Sequence, residues 1–212
     1  MATYNREEED KIEGIKAWWN RFGTAITVVL AVMMATFGGT QVWKYYQQQQ
    51  AQQAADLYVL LKQVQTTEDF EKISDAAHLL TEGYPSSGYA PRAALIAARS
   101  SIKAGDMQRA KTQLQWILDH AKEPEMKDLA RLRLASVLFD EENYNEALRH
   151  LNTKHIDSFS GLYDDLKGDV LLASGKIEEA RLSYQAAINN LNKNNSYFNI
   201  VQMKLDALGE SD

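Results

Sequence analysis

Between Thr24 and Trp43 the chain reads TAITVVLAVMMATFGGTQVW, a stretch without a charge, and no later stretch of that length is free of charge. At about 1.5 Å rise per residue such a helix spans roughly 30 Å, the thickness of a bilayer's hydrocarbon core. The pattern predicts one membrane helix over 24–43. Trp18, Trp19 and Phe22 precede it and Trp43, Tyr45 and Tyr46 follow it. Amphipathic rings of this kind settle at the headgroup level, so both ends of the span are marked.

After the span the periodicity becomes that of amphipathic helices. Lys44 to Ala55, KYYQQQQAQQAA, has no Gly, Pro or Ser, and Gln and Ala are good helix formers, so a helical stalk over 44–56 is expected. Leu57, Leu60, Leu61 and Val64 then form an i, i+3, i+4, i+7 stripe. A partner helix points Phe70, Ile73, Ala77 and Leu80 inward and stops at Gly83-Tyr84-Pro85, and Pro91 suits the first turn of the next helix. No strand-like alternation persists anywhere. The expectation is an all-α chain: an N-terminal segment 1–23, the span 24–43, the stalk 44–56 and one helical domain over 57–212.

Within that domain one turn recurs. Gly105-Asp106-Met107-Gln108-Arg109-Ala110, Glu142-Asn143-Tyr144-Asn145-Glu146-Ala147 and Gly175-Lys176-Ile177-Glu178-Glu179-Ala180 are spaced 37 and then 33 residues apart, a period that suits a solenoid of helical hairpins. Four residues past each final Ala stands Leu114, Leu151 or Tyr184, and twelve before it stands Ala98, Ala135 or Gly168. Small residues let the two helices of a hairpin approach closely while bulky ones fill the space between hairpins.

The repeat resembles the tetratricopeptide repeat, with the large aromatic residues of the consensus first helix mostly replaced by Ala and Leu. That resemblance implies a concave surface lined by the first helix of each hairpin. Carried onto this chain, the positions are Arg92, Leu95, Arg99 and Ile102, then Leu129, Leu132, Ser136 and Phe139, then Leu162, Asp165, Asp169 and Leu172. The middle helix supports the assignment from its own residues. Met126, Ala130, Leu134, Val137 and Leu138 suffice for one buried stripe, which leaves Leu129, Leu132 and Phe139 as a second apolar face. That face meets either a ligand or the chain's own neighbouring helices. In the span, Thr27, Ala31, Ala35 and Gly39 stand at i+4 intervals, the small-residue row by which membrane helices pack together.

Charge sets the orientation. Arg6, Lys11, Lys16 and Arg21 precede the span, whereas Lys44 and then Lys62 follow it, so the N-terminus is expected in the cytoplasm and the domain outside it. A cleaved signal peptide would have a shorter apolar region and a small-residue site; this one ends in Gln41-Val42-Trp43-Lys44. The chain has no cysteine, which fits an oxidising compartment such as a periplasm.

Catalytic chemistry finds little support. There is no Cys nucleophile, and His78, His120, His150 and His155 do not form a ligand set. Ser86-Ser87-Gly88 is a turn with no strand before it, and no Gly-rich phosphate loop occurs. The net charge of −6 argues against nucleic acid, and Arg92, Arg99, Lys103, Arg109 and Lys111 would lie outside the cytoplasm. The expectation is no enzyme, no metal and no cofactor.

As a whole, the chain is similar to the YfgM-type ancillary subunits of the bacterial SecYEG translocon. The segment Ile12 to Phe22, IEGIKAWWNRF, with its Ile12, Ile15, Trp18, Trp19 stripe, carries the resemblance. So do Asp165-Leu166-Lys167-Gly168-Asp169 with Leu171 and Leu172, and Gln202-Met203-Lys204-Leu205. The resemblance implies a single-pass, type II inner-membrane protein with a periplasmic interaction domain. It also implies partners: the SecYEG translocon, a membrane-anchored periplasmic chaperone of the PpiD type, and unfolded secreted proteins passed on to periplasmic chaperones. The alternative is a structural scaffold that links envelope proteins and binds no client.

Overall fold

The computed structural model describes residues 2–193 and 196–209, with the side chains of 2–15, 17 and 25, and so Ile12 and Ile15 of the N-terminal stripe, outside the described residues. The described residues form helices α1 Ala2–Gln65, α2 Phe70–Gly83, α3 Tyr89–Lys103, α4 Met107–His120, α5 Pro124–Asp140, α6 Tyr144–Leu151, α7 Ser160–Ala173, α8 Ile177–Asn190 and α9 Ser196–Asp206. No strand occurs among them. The chain divides into two compact units, Met1–Ala51 and Gln52–Asp212.

Among its described residues the first unit is helical and almost bare of packing. Val28, Met34, Phe37 and Val42 are 63 to 71% exposed, and within α1 lies the one stretch among the described residues long and apolar enough to cross a membrane. Among the described residues an apolar face of that extent has no protein partner, and lipid would relieve the cost of wetting it. Gly23 is the buried exception, because the Trp19 indole lies over it at 3.0 Å from where a Cβ would stand. The Trp18 and Phe22 rings meet at a 45° tilt, 5.9 Å apart, just ahead of the span.

The second unit is a chain of helical hairpins. The end of α1 pairs with α2, α3 with α4, α5 with α6 and α7 with α8, each helix packs on the next, and α9 closes the row against α8. Its core begins inside the segment read as a stalk. Ala54 is fully buried with Leu61, Ile73 and Ala77, and Gln53 accepts a 3.0 Å hydrogen bond from the Tyr84 hydroxyl.

The recurring turn has a backbone cause. Gly105 and Gly175 take φ of 80° and Glu142 takes 59°, the left-handed conformation that ends a helix. In each case the next amide reaches back five residues: Asp106 to Ser101, Asn143 to Leu138 and Lys176 to Leu171, at 2.8 to 2.9 Å. A fourth turn belongs to the series. Glu68 has φ of 55° and lies 37 residues before Gly105. Asp69 then caps α2 by accepting from the Lys72 amide, as Asp106 caps α4 by accepting from that of Arg109.

Each hairpin crosses at one large and one small residue. Ala98 with Leu114 and Ala135 with Leu151 are all buried in the central cluster. In the last hairpin the contrast is sharper, since a Cβ on Gly168 would come within 2.4 Å of the Tyr184 ring. In the first hairpin the order reverses: Leu61 lies on the first helix and Ala77 on the second, both fully buried. Volume conserved across the pair keeps the interhelical distance similar from hairpin to hairpin. Buried polar groups then fix the third hairpin to the fourth. The Asp128 carboxylate pairs with Arg131 at 2.6 Å and accepts from the Ile156 amide, and the Asp128 carbonyl accepts from the Tyr163 hydroxyl at 2.8 Å. Burial pushes that phenol up to about 12, so it remains a donor at neutral pH.

Gly168→Ala should destabilise the protein by about 1–3 kcal/mol in denaturant melts, because the methyl drives into the Tyr184 ring. Adding Tyr184→Leu should restore part of the loss and make the last hairpin resemble the second and third. Equal and additive losses in the two single variants would show that these residues do not share one crossing.

Candidate partner-binding groove

The first helices of three hairpins line a common face. A groove of about 740 Å³ opens there between the end of α1, α3 and α5, with Leu95, Ile96, Ala98, Ile102, Leu114 and Leu129 as its apolar lining. Its polar lining is Tyr58, Lys62, Gln65, Arg92, Arg99, Lys103 and Arg133. No carboxylate lines it. Arg92 donates to the Gly88 carbonyl and stands 3.9 Å from Glu123, and Lys103 reaches Glu68 at 3.2 Å.

The groove therefore unites Arg92, Leu95, Arg99, Ile102 and Leu129 of the sequence-derived set. Tyr58, Lys62 and Gln65 were missed, although a shift of one 37-residue repeat upstream from Leu95, Arg99 and Ile102 lands on them. Arg133 and Ile96 sit off the transferred positions and had no repeat-based signal. The basic run divides in the fold. Arg109 pairs with Glu71 and Asp106, and Lys111 with Glu141 at 2.7 Å, so neither serves the groove.

The remaining positions lie elsewhere. Leu132 is 7% exposed and belongs to the central cluster, because α5 is packed by α4, α6 and α7 and has little free face. It is a core residue and not an open groove position. Ser136 donates to the Leu132 carbonyl, and Phe139 is half-buried beside Tyr144 at 6.1 Å. Leu162 packs on the same cluster and Leu172 is 38% exposed.

Asp165 and Asp169 are met by the chain's own α9. The Lys204 ammonium donates to Asp165 at 2.9 and 3.0 Å and to Asp169 at 2.7 Å. The Tyr197 hydroxyl donates to Asp165 and that of Tyr184 to Asp169 at 2.8 Å. Asp165 is 2% exposed, a burial that is tolerable because every oxygen is paired. Burial works against the charge on Lys204, yet its bonds to Asp169 and Asp165 prevail and hold it above the usual lysine value of 10.5. A raised value means that this contribution to stability is fully present below 10.5 and is lost only as pH climbs through the folded value. The clamp of α9 on α7 is thus intact across the neutral range.

The histidines stay apart. His120 stacks on Trp116 at 4.5 Å, His155 on Tyr163 at 4.1 Å, and His78 faces Glu82 at 3.1 Å. Burial, with Arg149 nearby, lowers His150 despite Glu146. Among the described residues no group of three or more His, Cys, Asp or Glu could hold a metal ion. In the span, Thr27, Ala31, Ala35 and Gly39 are all exposed, and the Thr27 hydroxyl is occupied by the Gly23 carbonyl at 2.7 Å.

Comparison with known proteins places these features in a family. The family model described as a tetratricopeptide repeat-like domain matches residues 16–210. Three relatives, each named ancillary SecYEG translocon subunit, align along most of the chain. That of Neisseria gonorrhoeae is 29% identical over 95% of this chain and 97% of its own length. That of Haemophilus influenzae is 28% identical over 87% and 90%, and that of Escherichia coli 24% identical over 98% and 99%. The hairpins, their left-handed turns and the inner groove are those of a chain that belongs to the tetratricopeptide repeat-like domain family.

Proposed function

We propose that this chain is a non-catalytic, membrane-anchored interaction subunit associated with the Sec translocon, and that its groove between α1, α3 and α5 holds a segment of a partner protein. The single observation that carries the reading is the open groove of about 740 Å³, floored by Leu95, Ile102 and Leu129 and rimmed by basic side chains, between the first helices of three hairpins. Relatives along nearly the whole chain bear the translocon subunit name, which supports the choice of machinery. The basic residues before the span and the absence of cysteine support an inner-membrane protein with its N-terminus in the cytoplasm and its domain in the periplasm. In that setting the partners are SecYEG, a PpiD-type anchored chaperone and unfolded proteins leaving the channel. The row Thr27, Ala31, Ala35 and Gly39 is the face by which the span packs on another membrane helix.

Gentle solubilisation of the full chain should recover translocon subunits. Leu129→Asp should leave the thermal midpoint within a few degrees yet reduce recovery of the soluble-side partner by roughly tenfold, since a carboxylate would be buried beneath the bound segment. Leu182→Asp, on a side chain 71% exposed, is the control expected to change nothing. Ala35→Leu combined with Gly39→Leu should weaken recovery of the membrane partner. Undiminished recovery with every variant would refute the groove and the span packing together.

Topology is checked separately. A reporter enzyme active only outside the cytoplasm should work when fused after Asp212, and activity of a cytoplasm-only reporter at that point would overturn the orientation.

A further inference from the structure

The inner face is electrically polarised along the repeat axis. The same register position is Lys62 in the first hairpin, Arg99 in the second, Ser136 in the third and Asp169 in the fourth. The acidic end is already occupied: Asp169 and its neighbour Asp165 are both paired with Lys204 of α9. The basic end is open. Lys62, Arg99 and Arg133 line it, and among the described residues none of the three forms an ion pair. In a chain whose net charge is −6, a groove with no acidic lining residue and three cations outside any ion pair is a local inversion.

We infer that the occupant is a polypeptide segment in which carboxylates alternate with apolar side chains. This rests on the groove reading above and names the chemistry of its ligand. The apolar floor provided by Leu95, Ile102 and Leu129 requires apolar side chains, since a purely acidic strand would leave that surface wet. Arg99 and Arg133 offer planar forks suited to bidentate carboxylates, which a lysine pair would not. The fold itself supplies the mirror case: where the inner face is acidic, the helix seated on it brings a lysine flanked by apolar Val201 and Leu205.

The test uses the full chain in detergent and a fluorescent twelve-residue peptide of alternating Leu and Glu, against the same peptide with Gln in place of Glu. Anisotropy should show the Glu peptide binding at least about tenfold more tightly, with the advantage shrinking at high salt because these cations are exposed. Arg99→Gln with Arg133→Gln should erase that advantage, and Arg99→Glu with Arg133→Glu should shift preference to a Leu and Lys peptide. Both arginines are exposed, so these variants should keep the parent melting profile.

Equal affinity for the Glu and Gln peptides overturns the inference; if Leu129→Asp still releases the partner, the groove reading survives that result. Peptide binding that persists undiminished in Leu129→Asp places the site outside the groove and also overturns it. Vesicles containing phosphatidylglycerol that displace the peptide at matched charge would assign the cations to a lipid surface instead, a third contrary result.

Discussion

The close crossing of the two helices in each hairpin is the constraint on which the rest depends. It is met by one large and one small residue at the same register, with the bulk on the second helix in three hairpins and on the first helix in one. Because the summed volume hardly changes, every hairpin has similar thickness and the first helices stand in a row. The inner groove is the surface that row leaves uncovered. A hairpin with two large residues would splay, and its neighbour would lose the wall that α1 and α3 now provide.

Charge then decides what each end of the row can hold. The acidic positions of α7 would be costly if buried alone, and α9 satisfies them with Lys204 and Tyr197. That contact ends the solenoid and removes its last hairpin from the binding surface. At the other end, among the described residues, Lys62, Arg99 and Arg133 line the groove outside any ion pair. The difference between a sealed end and an open end follows from which charges the chain can pair internally.

Much of this was legible in the residues. The all-helical class, the apolar span and three of the four recurring turns follow from periodicity and from the recurrence of one six-residue pattern ending in Ala. The fourth turn, with Glu68 placed as Glu142 is, was hidden because Ile73 stands where the others have Ala. With the large and small residues of that hairpin exchanged, a search for Ala on the first helix passes over it. For the groove, Arg92, Leu95, Arg99, Ile102 and Leu129 were readable from the repeat. Leu132 was not separable from Leu129, since both lie on the apolar side of α5 and only the packing of α6 and α7 distinguishes a buried position from an open one. The pairing of Asp165 and Asp169 with Lys204 spans 35 to 39 residues and carries no local pattern.

The most direct measurement is site-specific photocrosslinking in intact membranes, with the reactive side chain placed in turn at Lys62, Arg99 and Leu129 on the inner face and at Gln115 and Leu182 on exposed outer positions. Partner adducts should form from the three inner positions, with few or none from the outer two. Adducts confined to Gln115 and Leu182 would contradict it, because the partner would then be reading the back of the repeat and the groove would be only a by-product of hairpin packing.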